Sequence, residues 1–193
     1  MMARIELFIP HVLRWAAGVT QKSEESVEDL FVRARKSGWS DHPLDKGGST
    51  QCDVTLSAYT DYCRRKGIPA PDKAALKAIP YAHWLDILKT MYWDRWKADK
   101  IRSQSVAELL VDWVWGSGVT GIKRPQKLLG VTADGVVGVK TLDAFNSRDP
   151  RQLFEAVKAD RIRFYHEIVA RNPSQRIWLQ GWLNRVNSQN FKS

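Results

Sequence analysis

The residues best suited to chemistry lie together in one short segment, from Gly38 to Thr55. Its sequence, GWSDHPLDKGGSTQCDVT, brings carboxylates, hydroxyls, a histidine and paired glycines close together. Carboxylate and hydroxyl oxygens can hydrogen-bond sugar hydroxyls or hold a water molecule, and glycine lets the backbone approach a ligand closely. The same composition also fits a connector rich in turns. We predict an ordered loop or a small hairpin, because turn-forming residues dominate and no periodic pattern is present.

Helical periodicity surrounds this segment on both sides and predicts a mainly α fold. An apolar stripe with helical spacing ends near Gly18, and a second helix, capped by Ser23, is expected to stop at Gly38. On the other side, Thr55 is expected to cap a helix that Gly67 closes. These elements would hold both ends of the segment in place.

The rest of the chain predicts further helices and no long strand. A helix opened by Asp149 and Pro150 should extend to Arg171, because Pro173 blocks its continuation. The other predicted helix starts have a serine, a proline or the first residue of an apolar stripe, and they are Pro80, Ser105, Pro125, Val139 and Ser174.

Charge divides the chain into two parts. The 193 residues include 30 Lys and Arg against 21 Asp and Glu, a net charge of +9. Residues 1–118 hold 17 basic and 15 acidic side chains, hence +2, and residues 119–193 hold 13 and 6, hence +7. A basic segment of this kind attracts nucleic acid, an acidic membrane or an anionic cell wall, or it serves solubility alone. The composition excludes an acidic disordered chain, a collagen-like chain and a disulfide scaffold.

The cysteines and the N-terminus indicate features that we expect this chain to lack. Cys52 and Cys63 are the two cysteines, and their spacing fits neither a metal site nor a redox motif. We expect two unpaired thiols, no metal and no cofactor. The N-terminus has no Sec-type signal and no apolar run of about 18 residues exists. We expect a chain made in the cytoplasm, without a membrane span and monomeric.

The segment resembles a family signature. EGGYxNDPxDPGGxTxxGIT is typical of glycoside hydrolase family 108, the bacterial and phage-like N-acetylmuramidases. Residues 92–96 and 110–118 are similar to later motifs of these proteins, and residues 133–144 resemble the DGxxGxxTxxA signature of a small helical peptidoglycan-binding module. The matching positions are Gly38, Trp39, Asp41, Pro43, Asp45, Gly47, Gly48, Thr50, Val54 and Thr55, then Asp134, Gly135, Gly138 and Thr141.

The resemblance implies a fold and a reaction. It implies a lysozyme-like helical domain over residues 1–118, with an insertion at about 19–37, followed by a peptidoglycan-binding helical module over residues 119–193. The implied reaction is hydrolysis of the β-1,4 bond between N-acetylmuramic acid and N-acetylglucosamine, with peptidoglycan glycan strands as partner and action at the cell wall or periplasm if the chain is exported.

The resemblance also implies roles for single residues. Asp41 or Asp45 would serve as the second carboxylate or place a water, and Thr50 would hold the nucleophilic water. The remaining candidates would bind substrate, the tryptophans by stacking on sugar rings, and they are Trp39, His42, Gly47, Gly48, Trp93 and Trp96.

The departure from the signature concerns its catalytic glutamate. Ala16 stands at that position if the insertion is allowed, whereas a gapless alignment puts Lys36 there. Glycoside cleavage needs a carboxylic acid to protonate the leaving oxygen, and losing a positioned general acid costs about 10²–10⁴ in rate. Three explanations stay open: an inactive relative kept for binding, an engineered Glu→Ala substitution, or a surrogate acid from Glu24, Glu25 or Glu28.

Two other function classes compete with the muramidase interpretation. A non-catalytic wall-binding protein is one, since relatives of this kind are sometimes labelled secretion activators. Nucleic-acid binding is the other, because phosphate contacts need basic side chains, although no recognition motif accompanies them. The basic residues that could serve it are Arg148, Arg151, Lys158, Arg161, Arg163 and Arg171.

Overall fold

The computed structural model describes residues 2–42 and 47–192. Over these residues the chain is mainly helical, with ten α-helices and one small three-stranded antiparallel sheet. The predicted fold class is therefore confirmed. The candidate catalytic residue Asp45 lies outside the described residues. None of the helices in the described part of the chain has the length and apolarity that crossing a bilayer requires.

The chain forms two compact units, and the first comprises Ile5–Met91. It contains the whole sheet, and a π-helical stretch, Lys89–Trp93, follows its last α-helix. Its elements in chain order are α1 (Ile9–Ala17), α2 (Val27–Ala34), β1 (Trp39–Ser40), β2 (Thr50–Gln51), β3 (Val54–Thr55), α3 (Leu56–Lys66), α4 (Lys73–Lys77) and α5 (Tyr81–Leu88).

The second compact unit begins at Tyr92 and also includes the N-terminal residues up to Arg4. Its helix α6 packs against α7 and α9, so the helix stays with the residues that follow it. The compact units therefore divide near residue 92, whereas the sequence placed a division after residue 118. The elements of this unit are α6 (Gln104–Ser117), α7 (Thr120–Leu128), α8 (Val139–Asn146), α9 (Pro150–Arg171) and α10 (Arg176–Asn187).

Several helix ends follow the local signals in the sequence. The Thr55 hydroxyl accepts a hydrogen bond from the Ala58 backbone N–H at 3.0 Å, which caps α3. Gly67 closes the same helix in the left-handed conformation, with φ at 67°. The Asp149 carboxylate accepts from the Gln152 N–H at 2.8 Å and caps α9. These predictions are confirmed.

The predicted cap of the second helix is wrong. Ser26, not Ser23, accepts the hydrogen bond of the Asp29 N–H, at 3.1 Å. The chain turns before this point, because Glu24 has a φ of 63° and cannot continue a helix from Ser23. The acidic side chains that suggested an earlier start belong in part to this turn.

Two further helix starts differ from prediction, and one helix was not predicted. Helix α6 is capped by Ser103 rather than Ser105, and α4 was not predicted at all. Helix α7 begins at Thr120, before the predicted start at Pro125. Gly121 explains that extension, since a Cβ there would lie 2.6 Å from the Trp113 carbonyl carbon. The missing side chain lets α7 pass directly against the backbone of α6.

Candidate functional site

The segment 38–55 folds into the small sheet of the first unit. Strands β1 and β2 pair Ser40 with Thr50, and β2 and β3 pair Thr50 with Thr55. Cys52 and Asp53 join β2 to β3 with φ values of 47° and 64°. Two consecutive positive φ values are the geometry of a tight type I′ turn. The hairpin was predicted, and this turn sets Thr50 in the middle strand.

Asp41 follows the first strand and is held by two partners. The Ser49 hydroxyl donates to one carboxylate oxygen at 2.6 Å, and the Lys73 ammonium lies 2.9 Å from the other. The hydrogen bond from Ser49, followed by that from Lys73, lowers the pKa of Asp41 below its ordinary value of 3.8. The carboxylate is 42% exposed. At neutral pH it is ionised, so it can accept hydrogen bonds but cannot protonate a leaving group.

Gly38 marks the point where two helix ends meet the sheet. A Cβ on this buried glycine would lie 3.3 Å from the Ala17 Cβ and 2.6 Å from the Cys52 Sγ. The Ser37 hydroxyl donates to the Ala17 carbonyl at 2.8 Å. The end of α1 and the turn after α2 therefore come together. Each carries one of the two positions that the resemblance aligns with the glutamate of the signature.

The two candidate positions hold no acid. Ala16 lies in the last turn of α1, one residue before the contact with Ser37, and it is half-buried. Lys36 lies in the turn after α2, directly before Ser37, and it is exposed. The two alignments, which differ by 20 residues in sequence, thus converge on one region of the first unit.

The surrogate acids proposed from the sequence lie at the other end of α2. Glu24 and Glu28 flank its N-terminus, whereas its C-terminal end approaches Gly38. An eight-residue helix is about 12 Å long. Glu25 pairs with Arg33 at 2.8 Å, and that hydrogen bond lowers the pKa of Glu25 to about 2. All three lie at or before the N-terminal end of α2, away from the end that approaches Gly38.

The aromatic candidates divide by burial. Trp39 is half-buried, and the Lys77 ammonium lies 5.6 Å from its ring centroid. Trp93 and Trp96 are completely buried. The prediction that these two stack on sugar rings is therefore wrong, because a fully buried indole offers no face to a ligand. They belong to the core of the second unit, as Trp113 does.

The polar and glycine candidates of the loop are at the surface. His42, Gly47 and Gly48 are exposed, and Gly48 has a φ of 69° that favours glycine. Within the described ranges, no group of three or more His, Cys, Asp or Glu side chains is arranged to hold a metal ion.

The two cysteines are free, as predicted from their number and spacing, and both are buried. Burial raises the pKa of the Cys52 thiol to about 11. A neutral thiol is a poor nucleophile. Cys52 therefore contributes to packing behind Gly38 rather than to chemistry.

The DG loop of the second unit, residues 130–141, is organised by a buried glutamine that the sequence did not reveal. Gln126 donates through Nε2 to the Asp134 carboxylate at 3.1 Å and to the Thr141 hydroxyl at 3.3 Å. Its Oε1 accepts from the Gly135 N–H at 2.9 Å. Gln126 has no exposed surface. Three of the four motif residues, Asp134, Gly135 and Thr141, therefore fix the conformation of the loop through Gln126. The sequence could not predict this role, because a single glutamine in a helix belongs to no recognisable pattern.

A surface cavity of about 490 Å³ follows the DG loop. Asp134 and Gly138 line it together with Val136, which is 67% exposed. Val139, which is 72% exposed, lies on the same wall. The loop thus exposes apolar and polar groups next to each other, while hydrogen bonds from the buried Gln126 fix its conformation.

The basic residues considered for nucleic acid are mostly engaged within the second unit. Arg161 is 1% exposed and pairs with Asp112, so it cannot contact phosphate. Arg171 lies 3.4 Å from Glu167, and the Lys158 ammonium donates to the Gln189 carbonyl at 2.7 Å. These three basic side chains therefore have partners within the second unit.

A mainly helical fold with a short hairpin that carries an ionised aspartate and a threonine defines a lysozyme-like class of protein. Residues 30–118 match the family model described as Glycosyl hydrolase 108. Residues 120–187 match the one described as Predicted Peptidoglycan domain. The chain is thus a glycosyl hydrolase 108 protein with a C-terminal peptidoglycan domain, a peptidoglycan-binding, muramidase-like protein, as the motifs implied.

One solved structure with the same fold is SagA of Brucella abortus. The two share 24% sequence identity and a TM-score of 0.63, over 84% of this chain and 97% of that chain. No curated protein matches the sequence of this chain. The family match begins at residue 30, so it includes Lys36 and excludes Ala16.

Proposed function

We propose that this chain binds peptidoglycan glycan strands through a muramidase-type site, and that it cleaves the β-1,4 bond poorly or not at all. One observation carries the proposal. The two helix ends that meet at Gly38 carry Ala16 and Lys36, the positions that the resemblance aligns with the family's glutamate, and Asp41 and Thr50 match the same signature.

The chemistry explains why this combination favours binding over cleavage. An ionised Asp41 can position a water or accept a hydrogen bond from a sugar hydroxyl, but the leaving oxygen still needs a proton. Lysine at the acid position would add a positive charge beside an oxocarbenium-like centre, which opposes the transition state. Trp39 remains as a half-exposed surface for a sugar ring.

The C-terminal residues, 119–193, would act as the anchor. They carry the charge of +7, and an anionic cell wall attracts such a segment. The exposed DG loop with its cavity supports a role in contacting wall material. On this proposal the chain acts at the cell wall.

Two measurements on purified cell walls test the proposal. The natural chain should co-sediment with walls without reducing their turbidity. Lys36→Glu should reduce the turbidity of the walls, because the family match favours Lys36 as the acid position. Ala16→Glu should reduce it less. The matched controls are Lys36→Gln and Ala16→Gln, which have the same size as the glutamate variants but no acid.

Each result bears on a separate part of the proposal. Rapid clearing of walls by the natural chain contradicts the missing-acid argument. A gain for Ala16→Glu alone places the acid position at the end of α1 instead. Absence of wall binding in every variant rejects the peptidoglycan proposal itself.

Nucleic-acid binding is the weaker alternative, since Arg161 is buried and paired. The salt dependence of binding distinguishes the two functions. Binding to DNA weakens steeply between about 50 and 200 mM salt, whereas contacts between indole rings and sugars should change little.

A further inference from the structure

A separate cavity of about 270 Å³ lies within the second unit, at the starts of α6 and α9. Its inner wall is apolar, because Ile101, Val106, Phe145 and Leu153 line it and are each at most 4% exposed. It lies apart from the DG loop cavity, and the two share no lining residue.

Two arginines line this cavity at equivalent positions. Arg102 and Arg148 each come directly before the residue that caps a helix, Ser103 for α6 and Asp149 for α9. Both arginines are exposed, and neither forms an ion pair with a carboxylate in the described ranges. The Asp149 carboxylate is occupied in capping α9. Two cations therefore line one cavity, next to the capped N-termini of α6 and α9.

The backbone beside the cavity is held in position by Asn146. Its side-chain oxygen accepts from the Arg102 N–H at 3.0 Å, and its amide donates to the Lys100 carbonyl at 2.8 Å. These bonds fasten the end of α8 to the segment before α6. The position of Arg102 relative to the apolar wall is therefore part of the fold.

We propose that this cavity binds a short aliphatic peptide that ends in a carboxylate, the C-terminal end of a peptidoglycan stem peptide. The inference rests on the proposed function, which supplies the polymer, and it names the part of the polymer that is bound. The carboxylate would contact Arg102 and Arg148, and small aliphatic side chains would fill the apolar part. The volume corresponds to about nine water molecules, enough for two small residues. Inorganic phosphate would satisfy the arginines but leave the apolar wall in contact with water.

The probe is the dipeptide D-alanyl-D-alanine, titrated into the full chain by NMR or calorimetry. The natural chain should bind it, and the C-terminal amide of the same dipeptide should bind about tenfold or more weakly, since charge-assisted hydrogen bonds are lost. Arg102→Gln and Arg148→Gln should each weaken binding by a similar factor. The charge-matched control is the double variant Arg95→Gln with Arg176→Gln, two exposed arginines outside the cavity, which should bind as the natural chain does.

The outcomes separate this inference from the proposed function. If the chain binds walls but not the dipeptide, the cavity inference is overturned and the proposed function stands. Equal affinity for the dipeptide and its amide also overturns it, because the carboxylate would then contribute nothing. Equal affinity for the dipeptide and inorganic phosphate overturns it as well, because a simple anion site would then remain. If neither walls nor dipeptide bind, the proposed function fails as well. Circular dichroism of the variants verifies that they fold, which is expected because both arginines are exposed.

Discussion

Asp112 in the second unit and Asp41 in the first are both carboxylates paired with cations, but their surroundings differ completely. Asp112 has no exposed side-chain surface and lies 2.8 Å from Arg161 and 2.8 Å from Arg185. Asp41 is 42% exposed, and its partner Lys73 is 61% exposed. The same kind of pair therefore serves the packing of three helices in one unit and remains open to a ligand in the other.

The difference extends to the other polar groups of the two units. In the second unit, Gln126 and Arg161 are buried and make several internal hydrogen bonds. In the first unit, Ser40 and Asp41 of the hairpin region and the α2 cap Ser26 lie at the surface, whereas Ser49 and Gln51 are buried. A buried group left without its partner is costly, whereas water replaces a lost surface partner. Stability should therefore respond to substitution of the buried polar groups of the second unit, and function to substitution of exposed polar groups such as Asp41 in the first.

The largest effect is expected for Asp112→Ala. It leaves two arginine side chains without their carboxylate, and breaking a buried ion pair costs about 3–5 kcal/mol of unfolding free energy. Asp41→Ala is the matched substitution, and it should change stability far less. Denaturant unfolding followed by circular dichroism measures both. Equal losses in the two variants would remove the distinction between the units.

A smaller effect is expected for Gly135→Ala in the DG loop. Gly135 has a φ of 84°, and an added Cβ would lie 2.5 Å from the Val119 side chain. Strain and crowding together should cost about 1–3 kcal/mol. Gly138→Ala is the control, since it has an ordinary φ and nothing within 4 Å of its Cβ position. Thermal unfolding of both variants tests this, and a neutral Gly135→Ala would show that the loop is not held rigidly by Gln126.

The surface cap of α2 should matter less again. Ser26→Ala removes the hydroxyl that accepts from the Asp29 N–H and should cost about 1 kcal/mol. Ser23→Ala, the substitution that the sequence alone would have chosen, should stay within about 0.5 kcal/mol of the natural chain. The same unfolding assay distinguishes them, and a larger loss for Ser23→Ala would restore the predicted cap.

The smallest effect concerns the pH dependence of stability through Asp41. Its pKa is lowered on folding, so its contribution is present above the unfolded value and is lost as the pH falls through the folded value. The natural chain should unfold at a slightly higher temperature than Asp41→Asn at about pH 7, and the difference should shrink as the pH falls below the ordinary carboxyl value of 3.8. A difference that grows on acidification would have the wrong sign for an ionised, hydrogen-bonded carboxylate.

Much of the local structure could be predicted from the sequence. Thr55, Gly67 and Asp149 act within three or four residues of their own position, so their neighbours in the chain suffice to assign them. The cap of α2 shows the limit of this approach. Ser23 and Ser26 carry equivalent local signals, and the left-handed backbone at Glu24 decided between them.

The candidate site could be predicted only in part. The hairpin with Asp41 and Thr50 followed from the turn-forming residues and from the family signature. The partners of Asp41 were not predictable, because Lys73 is 32 residues away and lies in a helix that the sequence did not reveal. The stacking role of Trp93 and Trp96 failed for a related reason, since composition cannot tell a buried indole from an exposed one.

The sequence by itself determined the helical fold class and the family. These depend on periodicity, on motif order and on residue identity, which are all properties of the linear chain. Tertiary structure decided that Ala16 and Lys36 converge on Gly38, that Gln126 shapes the DG loop and that Asp112 binds two arginines. Those facts depend on which distant residues meet and exclude water, and that is settled only when the helices pack.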